Sequence, residues 1–316
     1  MSDAAVPPVS LRQLQYLVAV ADTRSFRRAA ETCHVAQPSL SAQVALAERL
    51  LGIQVFERDR RGVRLTHGGE ALVEQARRVL VAAGDLRIVA QQFSDPFRGT
   101  LRVGVIPTVG PYLLPDVAPA LGRAFPNLTL LWREERTGVL VQQIHDGGVD
   151  AAVLALEADI GECEYAVLGR DPFVLAGAPG HPLMQSRKTA TMQELHGATL
   201  LLLEDGHCFR DQVQSLCAQT GAKKMDFQAT SLSTLVQIAS AGTGATLLPS
   251  LAIPVENRAS QLRVRKFAPP APSRTLVLIW RRGSALRPAL SRVADTMRTA
   301  FARSRSGRKE SRAPSP

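Results

Sequence analysis

The first part of the chain alternates short apolar repeats with polar turns, a pattern typical of a small helical domain. Hydrophobic positions recur three and four residues apart from Leu14 to Ala21 and from Phe26 to Cys33, which predicts two amphipathic helices. A third is predicted from residue 37 to residue 51, because Pro38 suits a first helical turn and Gly52 suits the end. The short turn between the second and third helices has the length expected of a helix-turn-helix.

The third predicted helix supplies candidate contacts to double-stranded DNA. In a helix-turn-helix this helix enters the major groove, and its first residues reach the base edges. Ser and Gln side chains suit that position, since each can donate and accept hydrogen bonds. The alternative is that they are ordinary polar side chains on a solvated surface. The candidates are Gln37, Pro38, Ser39, Ser41 and Gln43.

Two short strands are predicted next, around Arg61 and Gly62, and they form a wing. The wing carries Arg58, Arg60 and Arg64. An isolated arginine cluster usually marks only a wet surface. One element beyond a helix-turn-helix, however, it is expected to bind phosphates.

A long amphipathic helix is predicted after the wing. Thr66 can cap its start, and Pro96 follows its end. Its apolar residues step alternately by four and three positions, which is the seam that a dimerising coiled coil requires. They are Leu72, Ala76, Val79, Ala83, Leu86, Ala90 and Phe93. A paired helix suits a two-fold symmetric operator, so a homodimer or homotetramer is expected, the alternative being a helix packed on its own domain.

From Thr100 onward the pattern alternates strands and helices, which is typical of a parallel sheet covered by helices. Two α/β lobes are predicted, and residues 275–280 and 285–301 are expected to return to the first lobe as a strand and a helix. The predicted organisation is a winged helix-turn-helix at 10–66, a linker helix at 67–95, a two-lobed regulatory domain at 100–302 and a disordered basic tail at 303–316.

Cys208 and Cys217 lie in a segment without Gly or Pro between His207 and Gly221, where the apolar spacing predicts a helix beginning near Cys208. Over their separation a helix rises about 13 Å and turns the two side chains to roughly opposite faces. A disulfide requires Cα atoms within about 7 Å. A bond between these cysteines therefore requires the helix between them to unfold, and their spacing alone leaves open whether it forms.

Three candidate chemical groups follow predicted strands. Thr108, Thr137 and Cys208 fall at the carboxyl edge of the sheet, where ligands bind in open α/β folds. The alternative is that the threonines only cap helices. A helix N-terminus flanked by His207 and Arg210 is expected to lower the pKa of the Cys208 thiol.

Composition narrows the class of protein. The chain has 316 residues, 45% of them hydrophobic and 21% charged, which describes a globular protein of two or three domains. A net charge of +10 suits a polyanionic partner such as DNA. The start has no secretory signal and no apolar run is long enough for a membrane span, so a cytoplasmic protein without membrane contact is predicted. The cysteine spacing favours no metal site, and no cofactor is predicted.

Several motifs resemble those of LysR-type transcriptional regulators, and the likeness covers nearly the whole chain. They are Phe26-Arg-Arg-Ala-Ala30, Val35-Ala-Gln-Pro-Ser-Leu-Ser41 and the wing from Phe56 to Thr66. The segments 106–115 and 203–212, with the second cysteine at Cys217, are similar to the hydrogen-peroxide sensors of that family. The first segment is shared by many regulators, and the second is specific.

The resemblance implies a winged helix-turn-helix, a dimerising linker helix and an α/β regulatory domain like a periplasmic binding protein. It implies that hydrogen peroxide oxidises Cys208 to a sulfenic acid, which forms a reversible disulfide with Cys217 and so changes the oligomer and its DNA contacts. RNA polymerase is a further expected partner. The residues implied around the peroxide are Thr108, Thr137, His207, Arg210, Asp211 and Arg274.

Two alternatives remain from the sequence. A LysR-type regulator can instead sense a small organic effector between its lobes, with the cysteines merely structural. A thiol peroxidase would use the same cysteine chemistry, but the helix-turn-helix argues against an enzyme.

Overall fold

The computed structural model describes residues 9–59, 62–92 and 97–310. The chain divides into two compact units, whose main boundary lies between residues 94 and 95. The first unit contains three helices, a two-stranded antiparallel wing and a long helix. Their bounds are α1 Leu11–Thr23, α2 Phe26–Thr32, α3 Gln37–Leu51, β1 Phe56–Asp59, β2 Gly62–Leu65 and α4 His67–Gln92.

Local sequence signals begin and end these helices. Ser10 accepts a hydrogen bond from the backbone of Gln13, whose side chain bonds back to the Ser10 N–H, so a capping box begins α1. Helix α3 has no side-chain cap, but Pro38 lies in its first turn. It ends at Gly52, whose φ of 68° is in the left-handed region that glycine adopts without strain. These signals set the position of the predicted recognition helix.

The predicted apolar faces meet in the core of this unit. The wing joins that core, because the Phe26 and Phe56 rings meet edge to face with centroids 5.9 Å apart. Helix α3 packs against α1 and α2 in the same core. Buried side chains include Leu14, Leu17, Phe26, Ala29, Ala30, Leu40, Val44 and Ala47.

The seam of α4 is split between two environments. Ala76 lies in the core of its own domain and Leu72 packs against that core, so the prediction of a dimer contact was wrong for Ala76. The physical reason is that the first half of α4 packs on α1. Val79 and Leu86 are 38% and 74% exposed, and Ala83 is half-buried. The Ala90 side chain and Phe93 lie outside the described residues.

The described part of the second unit contains a nine-stranded mixed sheet, which forms two α/β lobes. Its strands are β3 Gly99–Val105, β4 Leu128–Glu134, β5 Ala151–Ala155, β6 Glu164–Gly177, β7 Thr199–Leu203, β8 Lys223–Ala229, β9 Ala245–Pro249, β10 Arg263–Lys266 and β11 Ser273–Trp280. The order is β4-β3-β5-β11-β6-β9-β7-β8, and β10 also pairs with β6.

Helices cover this sheet. They are α5 Gly110–Ala124, α6 Thr137–His145, α7 Cys208–Thr220, α8 Leu232–Ser240, α9 Ile253–Glu256 and α10 Arg287–Glu310, with short 3-10 turns at Pro182–Met184 and Gln193–Leu195. The predicted return to the first lobe is confirmed, because β11 pairs with β5 and β6 while α10 packs on α5 and β6.

Strand β6 connects the two lobes. The sequence predicts only residues 173–176 as strand, but β6 begins at Glu164. Its first part pairs with β11 and its last part with β9, so backbone pairing extends the strand even where Tyr165 and Val167 are exposed. The lobes are therefore continuous through this strand.

The C-terminal helix extends into the segment that the sequence predicts to be a disordered tail. Helix α10 continues to Glu310, which corrects the predicted disordered tail over residues 303–310, because Arg, Lys and Glu are good helix formers and no proline occurs between Pro288 and Pro314. Residues 311–316 lie outside the described ranges. None of the described helices is long and apolar enough to cross a membrane.

The exposed half of the α4 seam generates a prediction about assembly. Replacing Leu86→Gln removes an apolar side chain that is 74% exposed in one protomer, so the free energy of unfolding should change by no more than about 0.5 kcal/mol. Dimer affinity, measured by analytical ultracentrifugation, should fall about tenfold, because burying such a side chain contributes about 1.5–3 kcal/mol. Ala82→Gln, an exposed change off the seam, is the control. Equal affinities for all three proteins would contradict the assignment.

Candidate functional site

Cys208 is the first residue of α7 and lies where the two lobes face each other. The chain leaves β7 at Leu203, turns at Gly206 with a φ of 90°, and enters α7 through extended backbone at His207. The Cys208 side chain is buried, with 8% of the residue exposed. The predicted helix start is therefore confirmed.

A cavity of about 620 Å³ opens beside Cys208. The first lobe lines it with Thr137, Gly138 and Glu157, and the second lobe adds side chains from the first turns of α7. Among the latter are Asp211 and Gln212. A nucleophilic sulfur thus faces a space that admits a small molecule.

The pKa of the Cys208 thiol is raised above its ordinary value, and the cause with the largest effect is burial. Thr137 and Arg274 act to lower that pKa, while the Asp211 carboxylate acts to raise it. The expectation of a lowered thiol pKa was therefore wrong. The physical reason is that desolvation of the thiolate outweighs the neighbouring donor and the positive charge.

Arg274 organises the floor of the site and is fully buried. Its Nε donates to Asp171 Oδ2 at 3.1 Å, and its Nη1 and Nη2 donate to the hydroxyl and carbonyl of Thr108 at 2.8 Å each. The guanidinium also lies 5.6 Å from the Phe209 ring centroid. Because every one of these groups is buried, the charge near Cys208 is held in one place.

Asp171 continues this network into the second lobe. It accepts hydrogen bonds from the Ser250 hydroxyl and the Leu251 N–H, both at 3.0 Å. The buried carboxylate thus has four donors around it when both Arg274 contacts are counted. These hydrogen bonds offset the desolvation cost of burying the charged pair of Asp171 and Arg274.

His207 and Arg210 flank Cys208 but act on the loop before α7. His207 is buried, and its pKa is lowered, first by burial and then by the charge of Arg136. Arg210 Nη1 donates to the Leu203 carbonyl at 2.6 Å, and its Nε lies 2.9 Å from Asp205. We therefore assign Arg210 to holding this loop, whereas the sequence suggested a direct effect on the thiol.

Two side chains that line this cavity have buried polar atoms without a hydrogen-bond partner within the described part of the chain. They are the Thr137 hydroxyl and the Gln212 amide, of which both the oxygen and the nitrogen are unpaired. Thr137 lowers the thiol pKa as a neighbouring donor, yet no atom completes a hydrogen bond of normal geometry with it. Buried polar groups are rarely left without a hydrogen-bond partner. The Thr137 hydroxyl and the Gln212 amide are therefore candidates to bind a polar ligand.

Sequence reasoning missed Gln212. Its position four residues after Cys208 in the same helix was the available signal, since residues at that spacing lie on one face. Thr108, Thr137, Asp211 and Arg274 were predicted. Thr137 and Asp211 line the cavity, Arg274 acts on the Cys208 thiol through its charge, and Thr108 is bonded to Arg274.

Cys217 is buried in the same helix, and both thiols are free. Burial raises the pKa of Cys217, while Lys224 acts to lower it. The two cysteines belong to one continuous helix, which separates their Cα atoms by about 13 Å. The observed fold is therefore that of the reduced protein.

Some of the predicted DNA-contact side chains are exposed, and others are buried or hydrogen-bonded within the domain. Gln37, Pro38 and Ser39 are exposed in the first turn of α3. The Ser41 hydroxyl is buried, and Gln43 accepts a hydrogen bond from Gln13 at 3.1 Å. Gln43 is thus held against α1.

On the wing, Arg64 is exposed on β2, whereas the Arg58 side chain and Arg60 lie outside the description. The exposed first turn of α3 and Arg64 both belong to the first compact unit.

Family comparisons agree with this architecture. The family model for the bacterial regulatory helix-turn-helix protein of the lysR family matches residues 11–70, and that for the LysR substrate binding domain matches residues 94–302. The two domains, in this order, define a LysR-type transcriptional regulator, which binds DNA.

Individual relatives narrow the class further. The hydrogen peroxide-inducible genes activator of Dickeya chrysanthemi is 44% identical over 92% of this chain and 95% of its own. The DNA-binding transcriptional dual regulator OxyR of Escherichia coli (strain K12) is 42% identical over 92% of this chain and 95% of its own.

Solved structures show the same relation. Full-length OxyR from Pseudomonas aeruginosa, with one cysteine replaced by aspartate, has a TM-score of 0.76 and 34% identity over 92% of this chain and 95% of its own. An H2O2-bound cysteine-to-serine mutant of Corynebacterium glutamicum OxyR has a TM-score of 0.63 and 32% identity over 94% and 95%. The chain belongs to the OxyR family of LysR-type regulators.

The geometry around Cys208 predicts the effect of removing one hydroxyl. Because Thr137 acts to lower the pKa of the thiol, Thr137→Val should raise that pKa further above its ordinary value. The pH dependence of Cys208 alkylation by iodoacetamide measures the change. Thr137→Ser keeps the hydroxyl and should resemble the parent. An alkylation profile unmoved in the valine variant would show that Thr137 has no influence on the thiol.

Proposed function

We propose that this protein is a hydrogen-peroxide sensor that controls transcription through reversible oxidation of Cys208. The observation that carries the proposal is a buried thiol, at the start of a helix, beside an unpaired Thr137 hydroxyl and an unpaired Gln212 amide. The names of the relatives, which are hydrogen peroxide-inducible activators, support it.

Hydrogen peroxide is small and has no shape to recognise, so only hydrogen bonds can hold it. Thr137 and Gln212 provide unpaired donors and acceptors in the cavity. Thr108 accepts from Arg274, which leaves its own hydroxyl hydrogen to donate. We assign peroxide binding to these three side chains, with Arg274 holding Thr108 in position.

In the first chemical step, the Cys208 thiol loses its proton and its sulfur attacks one peroxide oxygen. The S–O bond forms, the O–O bond breaks, and the leaving hydroxide takes up a proton to become water. The positive charge of Arg274 favours the thiolate. Because burial raises the thiol pKa, binding of the polar oxidant must supply part of the stabilisation that water would otherwise give.

In the second step, the Cys217 sulfur attacks the sulfenic sulfur of Cys208. The S–S bond forms, the S–O bond breaks, and a second water leaves. The reaction oxidises two thiols and reduces one peroxide, so each subunit consumes about one peroxide and stops until a reductant restores it. The protein thus acts as a sensor and not as an enzyme.

Formation of the disulfide would alter DNA binding by changing the fold of the regulatory domain. The observed α7 cannot contain the bond, so its first turns must unwind and the lobes must repack. That change would shift the dimer or tetramer and re-space the DNA-binding domains, whose contacts we assign to Gln37, Pro38, Ser39 and Arg64. Because its partner is promoter DNA, we place this action in the cytoplasm, with RNA polymerase as the next partner.

One observation favours a second function. A cavity of about 620 Å³ exceeds what hydrogen peroxide fills, so it could admit a small organic effector. Cys208→Ser separates the two functions, because an effector sensor should keep its response without this thiol.

Near-stoichiometric peroxide should produce a Cys208–Cys217 disulfide, read by peptide mass spectrometry, together with a changed DNA footprint. Cys208→Ser should abolish both changes, because the nucleophile is lost. Cys163→Ser, at a partly buried cysteine outside α7, is the control and should behave as the parent. Two free thiols and an unmoved footprint after peroxide would overturn the proposal.

A further inference from the structure

An ion pair joins the two lobes next to Cys208. Arg136 belongs to the first lobe, and its Nη2 pairs with Glu204 Oε1 of the second lobe. Their side chains are 47% and 29% exposed, so solvent screens the pair only in part.

Both ends of this ion pair start from fixed backbone. The Arg136 carbonyl accepts the first helical hydrogen bond of α6, from Leu140 N at 3.0 Å. The Glu204 N–H donates to the Ala229 carbonyl at 2.8 Å, at the end of the β7–β8 pairing. Each side chain therefore reaches across the cleft from a rigid element.

Arg136 also lies against the loop that carries Cys208. A Cβ placed on Gly206 would meet Arg136 Nη1 at 3.0 Å and its Cδ at 3.1 Å. The arginine therefore covers the backbone two residues before the reactive cysteine. It contacts the loop twice, through charge at Glu204 and through packing at Gly206.

We propose that Arg136 is a positioning residue that clamps the loop from Glu204 to His207 onto the first lobe and so favours the reduced fold. The inference rests on the proposed function. The disulfide requires the start of α7 to leave its place, and this loop is its attachment. While the clamp holds, that movement is opposed, and the ion pair sets how readily the disulfide forms.

The expected size follows from the exposure of the pair. Partly exposed ion pairs shift an equilibrium by about two- to fivefold. Breaking the clamp should therefore favour the disulfide by about two- to fivefold, which is a reduction potential about 10–20 mV more negative, since tenfold corresponds to about 30 mV.

The test uses the full chain with Arg136→Gln, Glu204→Gln and the double variant, equilibrated in glutathione redox buffers. Each single variant should favour the Cys208–Cys217 disulfide two- to fivefold, and the double variant should match the singles, because both changes break one pair. High salt should bring the parent toward the variants. Arg133→Gln removes an exposed arginine of β4 in the same lobe and is the matched control.

A second readout separates the clamp from a change in the charge of His207. The charged groups that face His207 are Arg136, which lowers its pKa, and Glu204, which raises it, while a backbone hydrogen bond with Thr230 also raises it. The two single variants should therefore move the His207 titration, followed by NMR, in opposite directions. Their effect on the disulfide should nevertheless have the same sign.

The outcomes are distinguishable. If the parent forms the disulfide and both variants match it, or if the two effects add in the double variant, the clamp is overturned and the sensor remains. If the two variants shift the disulfide equilibrium in opposite directions, the charge of His207 is responsible and the clamp is again wrong. If the parent forms no such disulfide, the proposed function itself fails and the clamp fails with it.

Discussion

Helix α7 keeps the two reactive sulfurs apart, and the rest of the regulatory domain depends on that separation. Cys208 is the first residue of α7, and Cys217 lies in the last turn of the same continuous helix. The reduced fold and the disulfide therefore exclude each other. A bond that fits the resting structure would leave it unchanged and could report nothing. A bond that the helix forbids converts one oxidation into a change of fold, because the covalent bond can form only where the helix has been lost.

The surroundings of Cys208 favour the protonated thiol over the thiolate. Burial raises the pKa of the thiol and so disfavours the thiolate, while Arg274 supplies a positive charge that its bonds to Asp171 and Thr108 hold in place. Arg274 lies on β11 and Asp171 on β6, and these paired strands connect the two lobes. The residues at the floor of the site therefore also belong to the strands about which the lobes would repack. Reactivity and structural change therefore share the same few residues, and the unpaired groups on Thr137 and Gln212 are where a polar oxidant would restore the missing hydrogen bonds.

Much of this architecture is readable from the sequence, because the helical spacing, Pro38, Gly52 and the alternation of strands and helices are local signals. The cysteine helix and the return of β11 and α10 to the first lobe follow from the same kind of pattern. Most of the failures are of one type. The sign of the Cys208 pKa shift, the engagement of Gln43 by Gln13, the burial of Ala76 and the ion pair between Arg136 and Glu204 all depend on which distant side chains meet. Periodicity carries no information about those meetings.

The central claim is that oxidation must unfold the start of α7. Hydrogen–deuterium exchange of the α7 backbone amides, in the full chain before and after stoichiometric peroxide, tests it most directly. We expect amides between Cys208 and Cys217 to lose protection on oxidation, to recover it with reductant, and to stay protected in the Cys217→Ser variant. A Cys208–Cys217 disulfide that forms while those amides remain protected would contradict it.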